Sequence, residues 1–238
     1  MAGESSGRRV CAVVGVGPGN GAAFARRFAR EGCDLALLAR GTEFTSALAR
    51  ELPGARAYAC DVGDADSVAR TFAAIRAEQG EVAILVYNAG SGVFGTVEEI
   101  TPADFEASFR TNALGALLVA KQVIPAMKRA GRGDVVFVGA TASRRGVART
   151  AAFAPAKAAQ RSLAESMARH LWPAGIHVSL VVVDGVVDLP RTRALMKDAP
   201  DAFFIRPDDV AEIAFRLTEQ RPSAWSFEVE ARPFGERW

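Results

Sequence analysis

Short apolar runs rich in Val, Leu and Ala recur along the whole chain, and segments with apolar residues at helical spacing separate them. Runs that are apolar at nearly every position are typical of strands buried on both faces, and intervening helices supply the crossovers of a parallel sheet. The alternation therefore predicts an α/β fold with a doubly wound parallel sheet of about seven strands and helices on both faces. The predicted strands are "VCAVVGVG", "DLALLAR", "ARAYACDV", "VAILVYNAG", "DVVFVGA", "IHVSLVVVDG" and "WSFEVEARP".

Polar residues ahead of the helical segments predict where several helices begin. Thr42 and Asp64 each precede such a segment, and we expect their side chains to cap it. Thr101 followed by Pro102 predicts the start of one long helix that Gly131 follows, and Pro125 is a candidate for a kink in its last turns.

The length of 238 residues and the lack of any linker indicate a single dinucleotide-binding domain over 1–238, with a segment at about 186–206 that covers the substrate. The net charge of +2 is too small to favour a nucleic-acid or membrane partner. Because no apolar run reaches the roughly 18 residues of a membrane span, we expect a cytoplasmic protein.

The cysteines show no spacing typical of a metal site. Cys11, Cys33 and Cys60 lie in or beside apolar runs, without a CxxC pair. We therefore interpret them as buried free thiols. The two histidines lie far from any acidic or cysteine cluster, so no metal site is expected.

The segment "GVGPGNGAA" lies between the first predicted strand and the first predicted helix. Glycines allow a tight turn and a close approach of the backbone to a ligand, and the helix N-terminus offers free N–H groups to a diphosphate. Its position in the first strand–helix unit supports a dinucleotide site. The glycines concerned are Gly15, Gly17, Gly19 and Gly21.

The end of the second predicted strand indicates which dinucleotide is preferred. An NAD site usually has an acidic residue there for the ribose 2′-hydroxyl, and here Ala39 takes that position and Arg40 follows. Because a guanidinium can bind a 2′-phosphate with two hydrogen bonds, we predict NADP(H) in preference to NAD(H). The alternative is a surface arginine without a ligand.

Several motifs occur in an order that resembles the short-chain dehydrogenase/reductase family over nearly the whole chain. "VGVGPGNG" resembles the family's TGxxxGxG, "CDV" at 60–62 its adenine-contacting segment, and "YNAG" at 87–90 its NNAG. Asn112 takes the position of the catalytic Asn, and Lys157 that of the lysine in the YxxxK signature.

The resemblance implies a Rossmann-type fold, a nicotinamide cofactor and a homodimer or homotetramer formed through long paired helices. It also implies that Lys157 binds the nicotinamide ribose. The cofactor-binding residues that we predict are Gly15, Gly17, Pro18, Gly19, Asn20, Gly21, Arg40, Asp61, Val62, Asn88, Ala89, Gly90, Lys157, Gly185 and Val187.

The chain departs from the family pattern at the catalytic positions. Phe153 replaces the tyrosine that acts as acid and base, and Ala140 replaces the serine that polarises a carbonyl. The positions that the family uses for catalysis are therefore Asn112, Lys157, Phe153 and Ala140. A positioned acid contributes about 10²–10⁴-fold to a rate, so the usual carbonyl reduction should be poor.

Four side chains are candidates to supply the missing proton or hydrogen bond. Thr141 and Ser143 follow Ala140, and Asp184 takes the place of the proline in the family's Pro-Gly after the sixth strand. Each of these could equally form a local turn hydrogen bond. Lys157 could donate a proton if burial removes it from water, although we interpret it first as a ribose ligand.

Two functions remain open on the sequence alone. The first is an NADP(H)-dependent oxidoreductase with FxxxK in place of YxxxK, acting by hydride transfer on a small apolar substrate. The second is an NADP(H)-binding sensor or inactive partner subunit. The segment Val186–Phe204 carries apolar residues that either line the substrate pocket or hold the segment against the domain.

Overall fold

A computed structural model describes residues 7–235 of the chain. The strands are β1 (Val10–Val14), β2 (Asp34–Ala39), β3 (Ala55–Ala59), β4 (Val82–Tyr87), β5 (Gly133–Ala140), β6 (Ile176–Val183), β7 (Val186–Val187), β8 (Phe204–Ile205) and β9 (Glu228–Ala231). The α-helices are α1 (Asn20–Arg30), α2 (Glu43–Glu51), α3 (Ala65–Glu78), α4 (Pro102–Phe109), α5 (Gly115–Ala130), α6 (Phe153–Leu171), α7 (Pro190–Leu195) and α8 (Pro207–Thr218).

Within the described residues, seven strands form one sheet in the order β3-β2-β1-β4-β5-β6-β9, and every pairing in it is parallel. This confirms the predicted doubly wound fold. The chain proceeds from β1 toward β3 on one side and from β4 toward β9 on the other, so the strand order reverses between β1 and β4. Ligands of such sheets bind outside the carboxyl ends of the strands at this reversal.

The sheet separates two hydrophobic cores. One core packs α3, α5 and α6 against one face, with Phe72, Val119 and Leu171 among its buried side chains. The other packs α1, α2 and α8 against the opposite face and includes Phe24 and Phe215. All eight residues of β6 are buried, which explains why that strand is apolar at almost every position.

The predicted caps are correct at two helices and wrong at one. Asp64 accepts a hydrogen bond from Asp66 N at 3.0 Å, and Thr101 forms a reciprocal capping box with Asp104. Thr42 is the residue before α2, but its side chain caps nothing. Its own backbone is already in the right-handed helical region, which differs from the extended geometry of the two capping residues.

The prediction of one long helix from Thr101 to Gly131 is wrong, because the chain forms two α-helices there, with Pro125 inside the second. A π turn over Arg110–Leu114 separates α4 from α5. There the Gly115 N–H bonds to the Arg110 carbonyl, five residues back, instead of to the Thr111 carbonyl. The Thr111 carbonyl is therefore available to another donor, and the Tyr87 hydroxyl donates to it at 2.6 Å.

The segment that we predicted to cover the substrate contains β7, α7 and β8, and β7 pairs with β8 beside the main sheet. Its apolar side chains have different surroundings. Phe204 is buried, Leu195 is 78% exposed, and Leu189 packs so closely on Gly19 that a Cβ there would lie 2.7 Å from its methyl group. Leu189 therefore brings this segment onto the glycine turn, whereas Leu195 contributes to no pocket wall.

Cys11, Cys33 and Cys60 are buried free thiols, as predicted, and burial raises the pKa of each. Among residues 7–235, no group of three or more His, Cys, Asp or Glu side chains is arranged to hold a metal ion. In the same range, every helix is too short or too polar to span a membrane.

Candidate active site

A cavity of about 890 Å³ opens at the carboxyl ends of β1, β2 and β4, at the point where the strand order reverses. Its walls come from the loops that follow these strands, together with β3's end and the π turn. The lining residues are Val14, Gly15, Val16, Gly17, Pro18, Leu38, Ala39, Arg40, Gly41, Phe44, Cys60, Asp61, Val62, Asn88, Ala89, Gly90, Ser91, Gly92, Ala107 and Thr111.

The glycine turn between β1 and α1 requires residues without a Cβ atom at Gly15 and Gly21. Gly15 has a φ of +87°, and a Cβ on it would lie 2.5 Å from the backbone of Ala89. A Cβ on Gly21 would lie 2.6 Å from the Gly15 carbonyl oxygen, so α1 also packs directly on the turn. The Asn88 side chain donates to that same oxygen at 2.8 Å and joins the turn to the end of β4.

Some predicted cofactor-binding residues lie outside this cavity. Gly19 borders a separate cavity of about 220 Å³ on the other side of the turn, which Asp188 and Arg206 also line. Val187 packs against the core beneath α1 and α8, and Gly185 precedes it in the same segment. The predicted residues that line the cavity are Gly15, Gly17, Pro18, Arg40, Asp61, Val62, Asn88, Ala89 and Gly90, and those outside its lining are Gly19, Asn20, Gly21, Lys157, Gly185 and Val187.

Arg40 lies at the rim of the cavity with an exposed side chain. No ion pair within residues 7–235 involves its guanidinium. Asp61 faces the same cavity, and its carboxylate accepts a hydrogen bond from Gly63 N at 2.9 Å. The rim therefore presents one cation whose five donors are available to an anion.

Lys157 and Asn112 converge on Gly90, which lines the inner part of the cavity. A Cβ on Gly90 would lie 3.4 Å from Asn112 Oδ1 and 3.7 Å from Lys157 Nζ. Asn112 is fully buried in the π turn, and its amide group donates to Ser108 O at 2.9 Å and Ser91 O at 3.1 Å. Its Oδ1 has no hydrogen-bond partner within the described chain.

Lys157 is buried, with only 5% of its surface exposed. Its Nζ donates to the Val138 carbonyl at 2.9 Å and to Gln160 Oε1 at 3.0 Å. Burial lowers the pKa of this amine to about 8. At neutral pH the amine is therefore mostly charged, yet close enough to its pKa to release a proton and regain it.

Phe153 begins α6, one helical turn before Lys157. Its ring packs against Phe94, with the ring centroids 5.3 Å apart. Phe94 itself is 61% exposed, so the pair forms an apolar wall at the surface of the protein. Position 153 therefore offers an apolar ring and no hydroxyl.

Three of the candidate replacements for the missing hydroxyls already have partners. The Thr141 hydroxyl donates to Asp184 Oδ1, and Arg232 donates to Asp184 Oδ2 at 2.5 Å. The Ser143 hydroxyl accepts a hydrogen bond from the Ala140 backbone N–H at 3.1 Å. Asp184 is therefore held in a buried ion pair, and these contacts favour local structural roles for all three side chains.

The hydroxyl groups of the two tyrosines also have hydrogen-bond partners within the protein. Tyr87 is fully buried and donates its proton to the Thr111 carbonyl, and burial raises the pKa of its hydroxyl. Tyr58 lies on β3 and bonds to Glu78 and Gln79, and burial again raises the pKa. Within the described chain, Lys157 is the titratable side chain that lies nearest to Gly90.

The residues present fit a dinucleotide. A Cβ on Gly17 would meet nothing within 4 Å, so the turn faces open space on that side. Asn20, the first residue of α1, has a buried Oδ1 without a hydrogen-bond partner in the described range. Together with Asn112 Oδ1, this leaves a polar atom at the glycine turn and another near Gly90, and both can bond to a ligand.

Sequence analysis missed two residues that contact predicted site residues. Gln160 is completely buried in α6 and bonds to Lys157, and Leu189 packs on Gly19. A polar residue three positions after Lys157, in a segment otherwise rich in alanine, is the signal that could have identified Gln160. The position of Leu189 depends on how its segment folds back, which no local pattern reveals.

Comparisons with known proteins agree with this geometry. The family described as short chain dehydrogenase matches residues 9–199. The 3-oxoacyl-[acyl-carrier-protein] reductase MabA of Mycobacterium tuberculosis is 35% identical over 77% of this chain and 71% of that protein. D-threitol dehydrogenase of Mycolicibacterium smegmatis is 30% identical over 88% of this chain and 85% of that protein.

Solved structures show the same similarity in three dimensions. A metagenomic short-chain oxidoreductase in complex with NADP is 30% identical, with a TM-score of 0.83 over 96% of this chain and 98% of that one. A variant of the actinorhodin polyketide ketoreductase with NADPH has a TM-score of 0.87 at 25% identity, over 95% of this chain and 96% of that one. With its parallel sheet, its glycine turn and these relatives, the chain belongs to the short-chain dehydrogenase/reductase family of oxidoreductases.

Proposed function

We propose that this protein is an NADP(H)-dependent oxidoreductase that acts by hydride transfer on a small apolar substrate, with Lys157 as its proton donor. The observation that carries the proposal is the convergence of Lys157 Nζ and Asn112 Oδ1 at Gly90, on the wall of the cavity that begins at the glycine turn. A bound nicotinamide supplies or accepts the hydride, as in the family.

The choice of NADP(H) is supported by Arg40 at the cavity rim. Its exposed guanidinium is placed to bind a 2′-phosphate, and Ala39 beside it offers no carboxylate for a ribose 2′-hydroxyl. The backbone N–H groups of Gly17 and of the first residues of α1 would bind the diphosphate, because the N–H groups of Gly15 and Val16 already donate to the Leu38 carbonyl and Pro18 has none. Gly19, Asn20, Gly21, Gly185 and Val187 remain proposed contacts of the cofactor from outside the cavity.

The proton chemistry that we propose follows from the environment of Lys157. Its ammonium donates a proton to the substrate atom that becomes negative, and the neutral amine then takes a proton from water. A pKa of about 8 suits both steps near neutral pH. Asn112 contributes its buried Oδ1 as an acceptor, and the apolar rings of Phe153 and Phe94 favour an apolar substrate.

This arrangement favours substrates that react without a strong hydrogen-bond donor from the protein. A simple ketone needs a strong hydrogen-bond donor on its oxygen in the transition state, and Phe153 and Ala140 provide none. In an activated alkene such as an enone, the negative charge that develops on hydride addition is delocalised onto the conjugated carbonyl group of the substrate itself. We therefore propose conjugated alkenes before ketones, under the cover of the segment at 186–206.

The proposed function is tested by restoring the two missing hydroxyls with Ala140→Ser and Phe153→Tyr together. NADPH oxidation is measured for the wild type and the double variant against matched ketones and enones. We expect the wild type to reduce enones, and the double variant to gain about 10²-fold or more on ketones. In contrast, Lys157→Met should lose enone reduction in the wild-type background.

Two results would contradict the proposal. If calorimetric titration shows no NADPH binding to the wild type, the cofactor assignment is wrong. If the wild type binds NADPH but is inert on every enone and ketone, while the double variant reduces ketones, then the protein is a cofactor-binding member without turnover.

A further inference from the structure

Gln160 lies in α6 where an apolar residue would be expected. It is completely buried, three residues after Lys157, and its Oε1 accepts a hydrogen bond from Lys157 Nζ at 3.0 Å. Its Nε2 is also buried and has no hydrogen-bond partner within residues 7–235. Burying an amide whose N–H groups have no hydrogen-bond partner is unfavourable. The hydrogen bond from Lys157 to Oε1 is the favourable interaction that partly offsets this cost.

The geometry of Lys157 shows what this bond does. An ammonium has three N–H bonds. One goes to the Val138 carbonyl of β5, and the second goes to Gln160. Gly90, which lines the cavity, is also close to Nζ, since a Cβ on it would be 3.7 Å away. With two bonds fixed inside the protein, the third is left for the cavity.

Among the described residues, no carboxylate accepts a hydrogen bond from the Lys157 ammonium in place of Gln160. Burial is the cause that lowers the pKa of its amine, and no charged group contributes. The groups that approach it from β5, from the loop after β4 and from the π turn are the Val138 carbonyl, Gly90 and Asn112, none of which titrates. Gln160 is thus the one side-chain acceptor that the described chain provides for this amine.

We propose that Gln160 is a positioning residue, which holds the Lys157 ammonium through Oε1 and thereby directs the remaining N–H bond toward Gly90 and the cavity. Neither the family's motifs nor the comparisons assign this residue a role. The expected effect of Gln160 on cofactor binding rests on the proposed function. The hydrogen bond between Gln160 and Lys157 does not, because it is present in the cofactor-free protein.

The test therefore begins with the cofactor-free protein. The chain has four lysines, Lys121, Lys128, Lys157 and Lys197, so ¹³C-labelled lysine gives a spectrum simple enough to titrate. Lys157→Met assigns the Lys157 signal. Gln160→Leu removes an acceptor that stabilises the charged amine, and we expect the pKa of Lys157 to fall by about 1 pH unit. Gln160→Glu adds a buried carboxylate beside the amine and should raise the pKa instead.

The second readout is NADPH affinity as a function of pH, measured by calorimetry. In Gln160→Leu, we expect the loss of affinity that accompanies deprotonation of Lys157 to begin about 1 pH unit lower than in the wild type. At pH 8 the variant should bind NADPH roughly 5-fold more weakly, the difference should approach about 10-fold at higher pH, and the two proteins should converge toward low pH. A role in packing alone would lower affinity equally at every pH.

Met167→Leu serves as the matched control, because Met167 is also buried in α6 and does not contact Lys157. It should leave both the lysine titration and the pH profile unchanged. If Gln160→Leu fails to fold, Gln160→Met and Gln160→Glu carry the same comparison in opposite directions. The proposal is overturned if folded variants leave the pKa of Lys157 where it is in the wild type, whether or not the enzyme turns over.

Discussion

The two cationic side chains of the candidate site, Arg40 and Lys157, differ in their exposure to solvent. Arg40 is exposed at the cavity rim, so salt and water screen its charge and its effect depends on direct contact with a ligand. Lys157 is buried, so its charge depends on the few protein groups around it. Substitutions of Arg40 should therefore change which ligand binds, whereas substitutions around Lys157 should change how binding and catalysis depend on pH.

Arg40→Ala should weaken NADPH binding by about 10-fold or more, because the 2′-phosphate loses a charged hydrogen-bond donor worth roughly 1.5–3 kcal/mol. NADH lacks that phosphate, so its affinity should change by less than about 2-fold. Calorimetric titration of both cofactors measures the difference, and the loss for NADPH should shrink at high salt.

Arg30→Ala is the control for this change, because Arg30 is likewise exposed but lies at the far end of α1 from the glycine turn. It alters the net charge equally and should leave both affinities as they are. Equal losses of NADPH and NADH in Arg40→Ala would show that Arg40 does not read the 2′-phosphate.

At the scale of elements, the π turn over Arg110–Leu114 places Asn112. One extra residue in this turn leaves the Thr111 carbonyl without its usual helical donor, and the Tyr87 hydroxyl at the end of β4 takes that place. The bond ties the turn to the sheet at the point where Asn112 faces Gly90. The position of a site residue is thus set by a hydrogen bond between a strand and an irregular part of a helix.

Tyr87→Phe should destabilise this arrangement. The variant leaves the partly buried Thr111 carbonyl without its donor, which costs about 1–2 kcal/mol in the free energy of unfolding. For a chain of this size, the melting temperature should fall by roughly 2–8 °C. Because the π turn can then relax, NADPH affinity should fall as well. Urea unfolding and calorimetric titration measure the two effects.

Tyr58→Phe is the matched control, since it also removes a hydroxyl with hydrogen-bond partners, but at the edge strand β3. Those partners, Glu78 and Gln79, are partly accessible to water, so the loss should stay below about 1 kcal/mol. NADPH affinity should not change. If Tyr87→Phe is as mild as Tyr58→Phe in both assays, the bond to Thr111 does not hold the turn.

At the scale of the whole molecule, apolar side chains remain exposed along α4 and α5. Phe105, Leu114 and Leu117 each keep 40% or 41% of their surface exposed. Together with family membership, this supports the proposal of a homodimer or homotetramer that pairs this part of the chain, together with α6, across a two-fold axis.

Light scattering on the purified protein should therefore give a mass of two or four times 25.2 kDa. Leu117→Glu brings like charges together across the proposed axis and should shift the mass toward the monomer. Ala69→Glu adds the same charge to an exposed position on α3 and should leave the assembly intact. A wild-type monomer at micromolar concentration would contradict the proposal.

The fold was largely predictable because local patterns determine it. Apolar runs identify β1 to β6, and "GVGPGNGAA" predicts a turn whose crowding at Gly15 and Gly21 the structure confirms. The π turn was not predictable, because the hydroxyl that bonds to it belongs to a tyrosine 24 residues earlier in the chain. The partners of Asp184 escaped prediction for the same reason, since Arg232 lies beyond three further strands and two α-helices.

The contact between Tyr87 and Gly115 has a consequence for how this sequence can diverge. A Cβ on residue 115 would lie 2.5 Å from the Tyr87 hydroxyl oxygen and 3.0 Å from Val62, so the ring at 87 occupies the room that any larger residue at 115 would need. Neither position can change freely while the other stays as it is. Lineages that carry a tyrosine at 87 should therefore keep a glycine at 115, and exchange of one should precede or accompany exchange of the other.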